Sequence, residues 1–464
     1  MLAYLSAGEL AERMRRKELR ATEAVDAFVA RVEERDPAIN AVVSLDVERA
    51  RRLARRRDDS TPEPGPLHGV PMTIKDAFDV EGLRTTIGTP VFDRVAERSS
   101  TVARRLEDAG AIIVGHSNVP PFLADHVTEN EIFGRTNNPW APDHTPGGSS
   151  GGAAAALAAG ITPVEAGSDL AGSLRLPAHY CGVYGLKCTE QRVPMTGFFT
   201  PPGGGPRPVR VMAALGPLAR DLDDLDLMLR VIAGPDGVDV DVPPVPLAAR
   251  RHGGRKGPFL TPERWEGALP SAPADLRATR LAVVPALPGV RVAAGVRDRL
   301  SGIAAAAADA GARVDDALPT VDFGQLTAAG DLIGSISQIF TPAAAALREE
   351  QRSLAWYLRV LDQRDRFTAA FEAFFADHDA LVLPAGTTAA PPHDARAADP
   401  GPLLVFANFA GLPVLTAPAG TGADGLPIGV QIVGPRWSET RLLDIAAALE
   451  AAGVLPGFQR PPGC

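Results

Sequence analysis

From Leu67 onward the chain sets short apolar runs between glycines and prolines, with helix-period segments lying between those runs. This alternation constrains the fold more than any other feature. Apolar runs of a few residues make buried strands, the periodic segments make helices that cover them, and the product is a largely parallel or mixed sheet. Ser6-Ala7-Gly8-Glu9 is a capping box that opens a first helix. Val25, Phe28, Val29 and Val32, spaced i, i+3, i+4, i+7, mark a second. Thr101 to Ala109 reads as a helix leading into a strand over Ala111 to Val114, and Leu222 to Ile232 as a helix stopped by Gly234-Pro235. Ile303 to Ala310, Leu354 to Phe375 and Arg441 to Ala452 are further helices; Leu281 to Val284 and Ala380 to Leu383 are further strands. No internal repeat interrupts the pattern. The expectation is an α/β fold: one large domain over 1–464 with a mixed twisted sheet covered by helices on both faces. Helices fill 1–60, a core spans about 65–235, a Pro-, Gly- and Arg-rich surface excursion covers 236–275, and 276–464 completes the same sheet.

With 45% hydrophobic and 22% charged residues, 464 residues suffice to bury a sizeable core. Lys and Arg number 47 against 56 Asp and Glu; the resulting net charge of −9 argues against nucleic acid or an anionic membrane as the main partner. The one basic run, Arg49 to Arg57, reads as a solvated helix end. Three cysteines, Cys181, Cys188 and Cys464, are too few for a disulfide framework and suit a reducing, cytoplasmic setting. There is no C-x-x-C or H-E-x-x-H, so neither a metal nor another cofactor is expected. The first twenty residues carry charge throughout and do not read as a signal peptide, and no run of 18 apolar residues reads as a membrane span.

Residues 145–160, TPGGSSGGAAAALAAG, place linker-like glycine and serine directly against a strong helix former. Gly147 to Gly151 satisfies the G-x-S-x-G pattern of a nucleophile elbow, which would make this an α/β-hydrolase esterase with Ser149 attacking. An elbow needs a buried strand just before it, and NNPWAPDHTP, with three prolines in ten residues, cannot be a central strand. The late histidines that such a site needs, His378 and His393, sit in ordinary surroundings. Two other segments carry reactive groups. Gly167 to Arg175 (GSDLAGSLR) holds Ser173 in a small-residue turn, and His68 to Asp76 (HGVPMTIKD) ends an apolar run on Lys75. A lysine at that position is expected to be buried, and desolvation turns a buried lysine into a base.

Together these segments resemble the amidase signature family: a G-V-P-x-x-x-K-D segment, a G-G-S-S-G-G segment, and a G-[ST]-D-x-G-G-S-[IL]-R-x-P segment in that order. The likeness extends through CGVYGLK at 181–187, LGPLAR at 215–220, NFAGLPVLTAP at 408–418 and GLPIGVQIVG at 425–434; residues 236–400 carry no such motif. The resemblance implies a Ser–cis-Ser–Lys triad. Ser173 is the nucleophile, Ser149, on a cis Gly148–Ser149 peptide, is the bridge, and Lys75 is the terminal base. It further implies an oxyanion hole from the N–H groups of Leu170, Ala171, Gly172 and Ser173. Ala171 stands where the family usually has glycine; we expect it to keep a negative φ and donate normally. The chemistry is consistent. A serine must lose its proton as it attacks an amide. A lysine can take that proton if its pKa falls from about 10.4 towards 7–8, a shift of about 4 kcal/mol. A hydroxyl can stand between them because it both accepts and donates.

Supporting roles are assigned to Ser150 and Ser168, as hydroxyls holding the loops, and to Asp169 and Arg175, as a pair bracing the turn. Phe122 and Leu123 are expected to wall the acyl pocket, with Phe198 and Phe199 in a flap over it that runs to Pro206. The expected reaction is hydrolysis of a small-molecule amide, hydrophobic or aryl, by water through an acyl-enzyme, with esters and carbamates open to the same chemistry. A monomer or homodimer is expected. The alternative is the amidase subunit of a tRNA-dependent amidotransferase; Ala171, the acidic balance and the insertion at 236–275 favour a stand-alone enzyme. A non-catalytic binding protein sits poorly with an intact lysine and both serines.

Overall fold

The computed structural model describes residues 2–59, 65–201, 209–248, 274–338, 353–395 and 399–464. Three helices come first: α1 (Ala7–Arg15), α2 (Ala21–Ile39) and α3 (Val47–Asp58). The capping box forms as the sequence predicts. Ser6 Oγ accepts the Glu9 N–H at 3.1 Å, and Glu9 reaches back to the Ser6 N–H at 3.0 Å. The basic run is less solvated than expected. Arg49 pairs with Glu107 and bonds the Ile113 carbonyl, and Arg57 bonds the Glu107 carbonyl, so part of α3 docks rather than faces water.

A three-stranded sheet runs in the order β1 (Val42–Val43), β3 (Ile112–Ser117), β2 (Pro71–Lys75). β2 and β3 are parallel and joined through α4 (Thr101–Asp108). Every residue of both strands is buried. Strands covered on both faces read as continuous apolar runs, which is why these two stood out in the sequence.

An eight-stranded sheet forms the larger body. Its strands are β4 (Val164–Asp169), β5 (Tyr184–Lys187), β6 (Ala214–Ala219), β7 (Arg280–Val283), β8 (Arg313–Asp315), β9 (Ala380–Pro384), β10 (Val414–Thr421) and β11 (Pro427–Val433), in the order β8-β7-β9-β11-β10-β5-β6-β4. β7 is parallel to β8 and β9, and the other pairs are antiparallel, so the sheet is mixed. Val414 lies opposite Lys187, so strands from before and after the 236–275 stretch share one ladder. Residues 236–248 of that stretch contain no regular element, and 249–273 lie outside the described residues.

The remaining helices are α5 (Gly151–Ala158), α6 (Arg175–Cys181), α7 (Leu222–Ile232), α8 (Ala294–Asp309), α9 (Leu326–Gln338), α10 (Leu354–Phe374), α11 (Gly401–Phe409) and α12 (Glu439–Ala451). All eight residues of α5 are buried. A helix that is apolar on every side belongs in a core, and one built almost entirely of glycine and alanine lets neighbouring backbones close on it. α8 starts nine residues before the expected Ile303. Its inward stripe of Val296, Leu300, Ile303 and Ala307 has helical spacing, but charged residues mask the first two turns in the sequence. Among the described residues no helix is long and apolar enough to cross a membrane.

Candidate active site

Lys75 ends β2 with no exposed surface. Its ammonium group has three N–H bonds and three hydroxyl acceptors: Ser149 Oγ at 2.7 Å, Ser150 Oγ at 2.9 Å and Ser168 Oγ at 3.0 Å. Burial lowers its pKa to about 7, against the opposing pull of Asp169 and Glu165. Glu165 is itself buried on β4 and pushed up to about 8, although a hydrogen bond from the Thr73 hydroxyl works against that rise. Ser150 and Ser168 therefore do more than brace loops, because both hydroxyls touch the amine.

The loop that presents Ser149 packs without spare space. The Gly148–Ser149 peptide is cis. A Cβ on Gly148 would sit 2.6 Å from the Asp125 carbonyl oxygen, so only glycine fits there. The Ser150 N–H donates to the Ser173 carbonyl at 3.1 Å, which ties this loop to the second serine. No strand directly precedes Ser149; residues 137–146 hold only isolated bridges, Asn138 with Ala141 and His144 with Pro392.

Ser173 occupies the strand–turn–helix junction between β4 and α6 and is 7% exposed. Asp169, buried at the end of β4, organises that turn. It accepts the N–H groups of Gly172 at 2.8 Å and Leu174 at 3.1 Å, and the Arg175 guanidinium at 2.9 and 3.0 Å. Burial alone would raise the Asp169 carboxyl, but the Arg175 charge and its hydrogen bonds outweigh that and hold it well below the usual carboxylate range. Arg175 also reaches the Leu404 carbonyl and Gln431 Oε1, both at 2.8 Å, and Asn408 Oδ1 at 2.5 Å. Asn408 and Gln431 had no assigned role in the sequence reading. The available signal was an amide side chain in each of the otherwise amide-free, largely apolar segments NFAGLPVLTAP and GLPIGVQIVG.

One expected oxyanion donor is otherwise engaged. The Gly172 N–H is taken by Asp169, at a residue with φ +107°. Among the described residues, the N–H groups of Leu170, Ala171 and Ser173 have no acceptor. Ala171 is absent from the positive-φ positions, so its methyl group costs no backbone strain.

Ser149, Ser168, Asp169 and Ser173 border a cavity of about 360 Å³. Phe122, Leu123, Phe198 and Phe199 wall it, joined by Leu170, Val209, Ala213 and Ile333 of α9. Phe198 and Phe199 are buried and held. Phe198 packs on Phe78 at 4.9 Å between ring centroids, Phe199 packs on Phe92 at 5.4 Å, and the Phe199 N–H bonds the Ala77 carbonyl. They wall the cavity from packed positions, and 202–206 of the expected flap lie outside the described residues. Asp125 and His126 add polar groups to the rim, and no lysine or arginine appears among the described lining residues. Cys181 is a buried core thiol, pushed up by burial.

The family model described as Amidase matches residues 23–443. The chain belongs to the amidase signature family. Among its curated relatives, the A subunit of the glutamyl-tRNA(Gln) amidotransferase from Deinococcus radiodurans is 34% identical, with 98% of each chain covered. The corresponding chain from Thermus thermophilus is also 34% identical, over 100% of this chain and 99% of that one. Among solved structures, 6-aminohexanoate cyclic dimer hydrolase in complex with substrate is 27% identical at a TM-score of 0.81, covering 100% of this chain and 99% of its own. These relationships do not support the preference for a stand-alone enzyme drawn from the sequence. They favour the amidotransferase component, because such chains align with this one almost end to end despite the acidic balance and the 236–275 stretch.

Proposed function

We propose that this amidase signature enzyme cleaves a carboxamide by acyl transfer to Ser173, with Ser149 relaying a proton to Lys75. The observation that carries the reading is the buried Lys75 amine, brought to about 7 and bonded to Ser149 Oγ at 2.7 Å. In its neutral form the amine accepts the Ser149 proton as Ser149 accepts that of Ser173, and the Ser173 oxygen adds to the amide carbonyl. The N–H groups of Leu170, Ala171 and Ser173 face the charge that develops on the carbonyl oxygen. The proton returns along the same route to the departing nitrogen. Water then takes the place of the amine and frees the carboxylate.

Two settings suit this chemistry. Kinship favours the amidase subunit of a tRNA-dependent amidotransferase, in which the released ammonia passes to a partner chain. The cavity favours a free hydrolase acting on an apolar or aryl acyl group. A free amino-acid amide carries a carboxylate that needs a cationic partner, and the described lining offers phenylalanine and leucine but no lysine or arginine. We take the second as the reading that the geometry supports best. The test is ammonia or amine release by the purified chain, without tRNA, ATP or partners, from aryl and alkyl amides, glutamine, esters and carbamates. Turnover of aryl or alkyl amides well above that of glutamine supports the free hydrolase. Ammonia release confined to glutamine, or to mixtures holding tRNA and partner chains, overturns it in favour of the amidotransferase.

A further inference from the structure

We propose that His126 is a positioning residue that sets the oxyanion-binding peptides from the cavity side. His126 Nε2 lies 3.1 Å from the Ala171 carbonyl oxygen. A carbonyl only accepts, so Nε2 carries the proton and donates. The N–H of the same peptide group, that of Gly172, donates to Asp169 Oδ1 at 2.8 Å. A peptide unit is planar, so fixing its oxygen and its N–H fixes the whole plane. The N–H groups on either side, those of Ala171 and Ser173, then turn only about the Ala171 and Gly172 dihedrals that flank this fixed plane. Gly172, at φ +107°, has no side chain with which to hold this geometry; its carbonyl accepts the Leu176 N–H at 2.8 Å, so three hydrogen bonds hold the turn, and that of His126 is the one made from a separate segment of the cavity lining.

The same short segment also steadies the other serine loop. A Cβ on Gly148 would meet the backbone of His126 at 2.8 Å and of Val127 at 3.0 Å. His126 therefore has its backbone against the loop of Ser149 and its side chain on the turn of Ser173. Without its hydrogen bond, the Ala171–Gly172 peptide keeps only the Asp169 anchor on its N–H side, and the donors next to it lose part of the preorganisation that an oxyanion requires.

This inference rests on the proposed acyl transfer at Ser173. Its test is the second-order rate at which a fluorophosphonate modifies Ser173 in the wild type, His126→Ala, His126→Leu and His126→Gln, with thermal melting of each. The glutamine side chain presents an N–H at a reach similar to that of imidazole Nε2. We expect His126→Ala and His126→Leu to react at least roughly tenfold more slowly, and His126→Gln to recover to within about threefold of wild type. A labelled wild type with His126→Ala or His126→Leu reacting equally fast overturns the inference alone, as does a folded His126→Gln as slow as the other two. A wild type unlabelled at Ser173 overturns the acyl-transfer reading and this inference with it.

Discussion

An amine enclosed by three hydroxyls is held between two protonation states by opposing forces. Removal of water disfavours the ammonium form of Lys75, while the three serine oxygens, Asp169 and Glu165 favour it; burial dominates and leaves the pKa at about 7. The sign of the pH dependence follows. Below about 7 the amine keeps its proton and cannot act as a base; above it the lone pair is available. Amide turnover, followed as initial rates between pH 5 and 9, should rise through neutrality, and Lys75→Ala should lose roughly two to four orders of magnitude. A flat or falling profile would remove the lysine from the mechanism. Burial of Lys75 was legible because the residue ends an apolar run. That Ser150 and Ser168 would join Ser149 on its amine was not, because side-chain aim depends on how three separate segments meet.

Between elements, Arg175 is the main tie. Its guanidinium joins the turn after β4 to α11 and β11 through Asp169, Leu404, Asn408 and Gln431. Both Arg175 and Asp169 are fully buried. Replacing the arginine with methionine would strand a carboxylate in the core, so we expect Arg175→Met to destabilise the fold by about 3–5 kcal/mol. In urea unfolding this should appear as a lower midpoint at unchanged slope. The double variant Arg175→Met with Asp169→Asn should recover part of the loss, because the stranded charge is then gone. The Asp169–Arg175 pair was readable from its spacing around Ser173. Its partners on α11 and β11 were not, and neither was the engagement of the Gly172 N–H.

The two parts of the chain close one sheet: β5 of the first part pairs with β10 of the second, and β4, which leads to Ser173, lies at one edge of that sheet. Neither part has a finished core alone. Expressed separately, 1–248 and 274–464 should each lack a cooperative melting transition, whereas mixed from the unfolded state they should regain one together with fluorophosphonate labelling of Ser173. Independent two-state melting of either piece would show two domains instead of one. Several helices, the strands near 111–114, 281–284 and 380–383, the buried lysine and the serine-bearing turns were legible in the sequence, because each has a local physical cause: periodicity, capping, an apolar run, or glycine where a backbone passes too close for a side chain. The cavity wall contributed by α9, the packing of Phe198 and Phe199 on Phe78 and Phe92, and the reach of Arg175 to Asn408, 233 positions away, came only with the folded chain. Such contacts join segments that no local pattern links, and their geometry exists only once the sheet has closed.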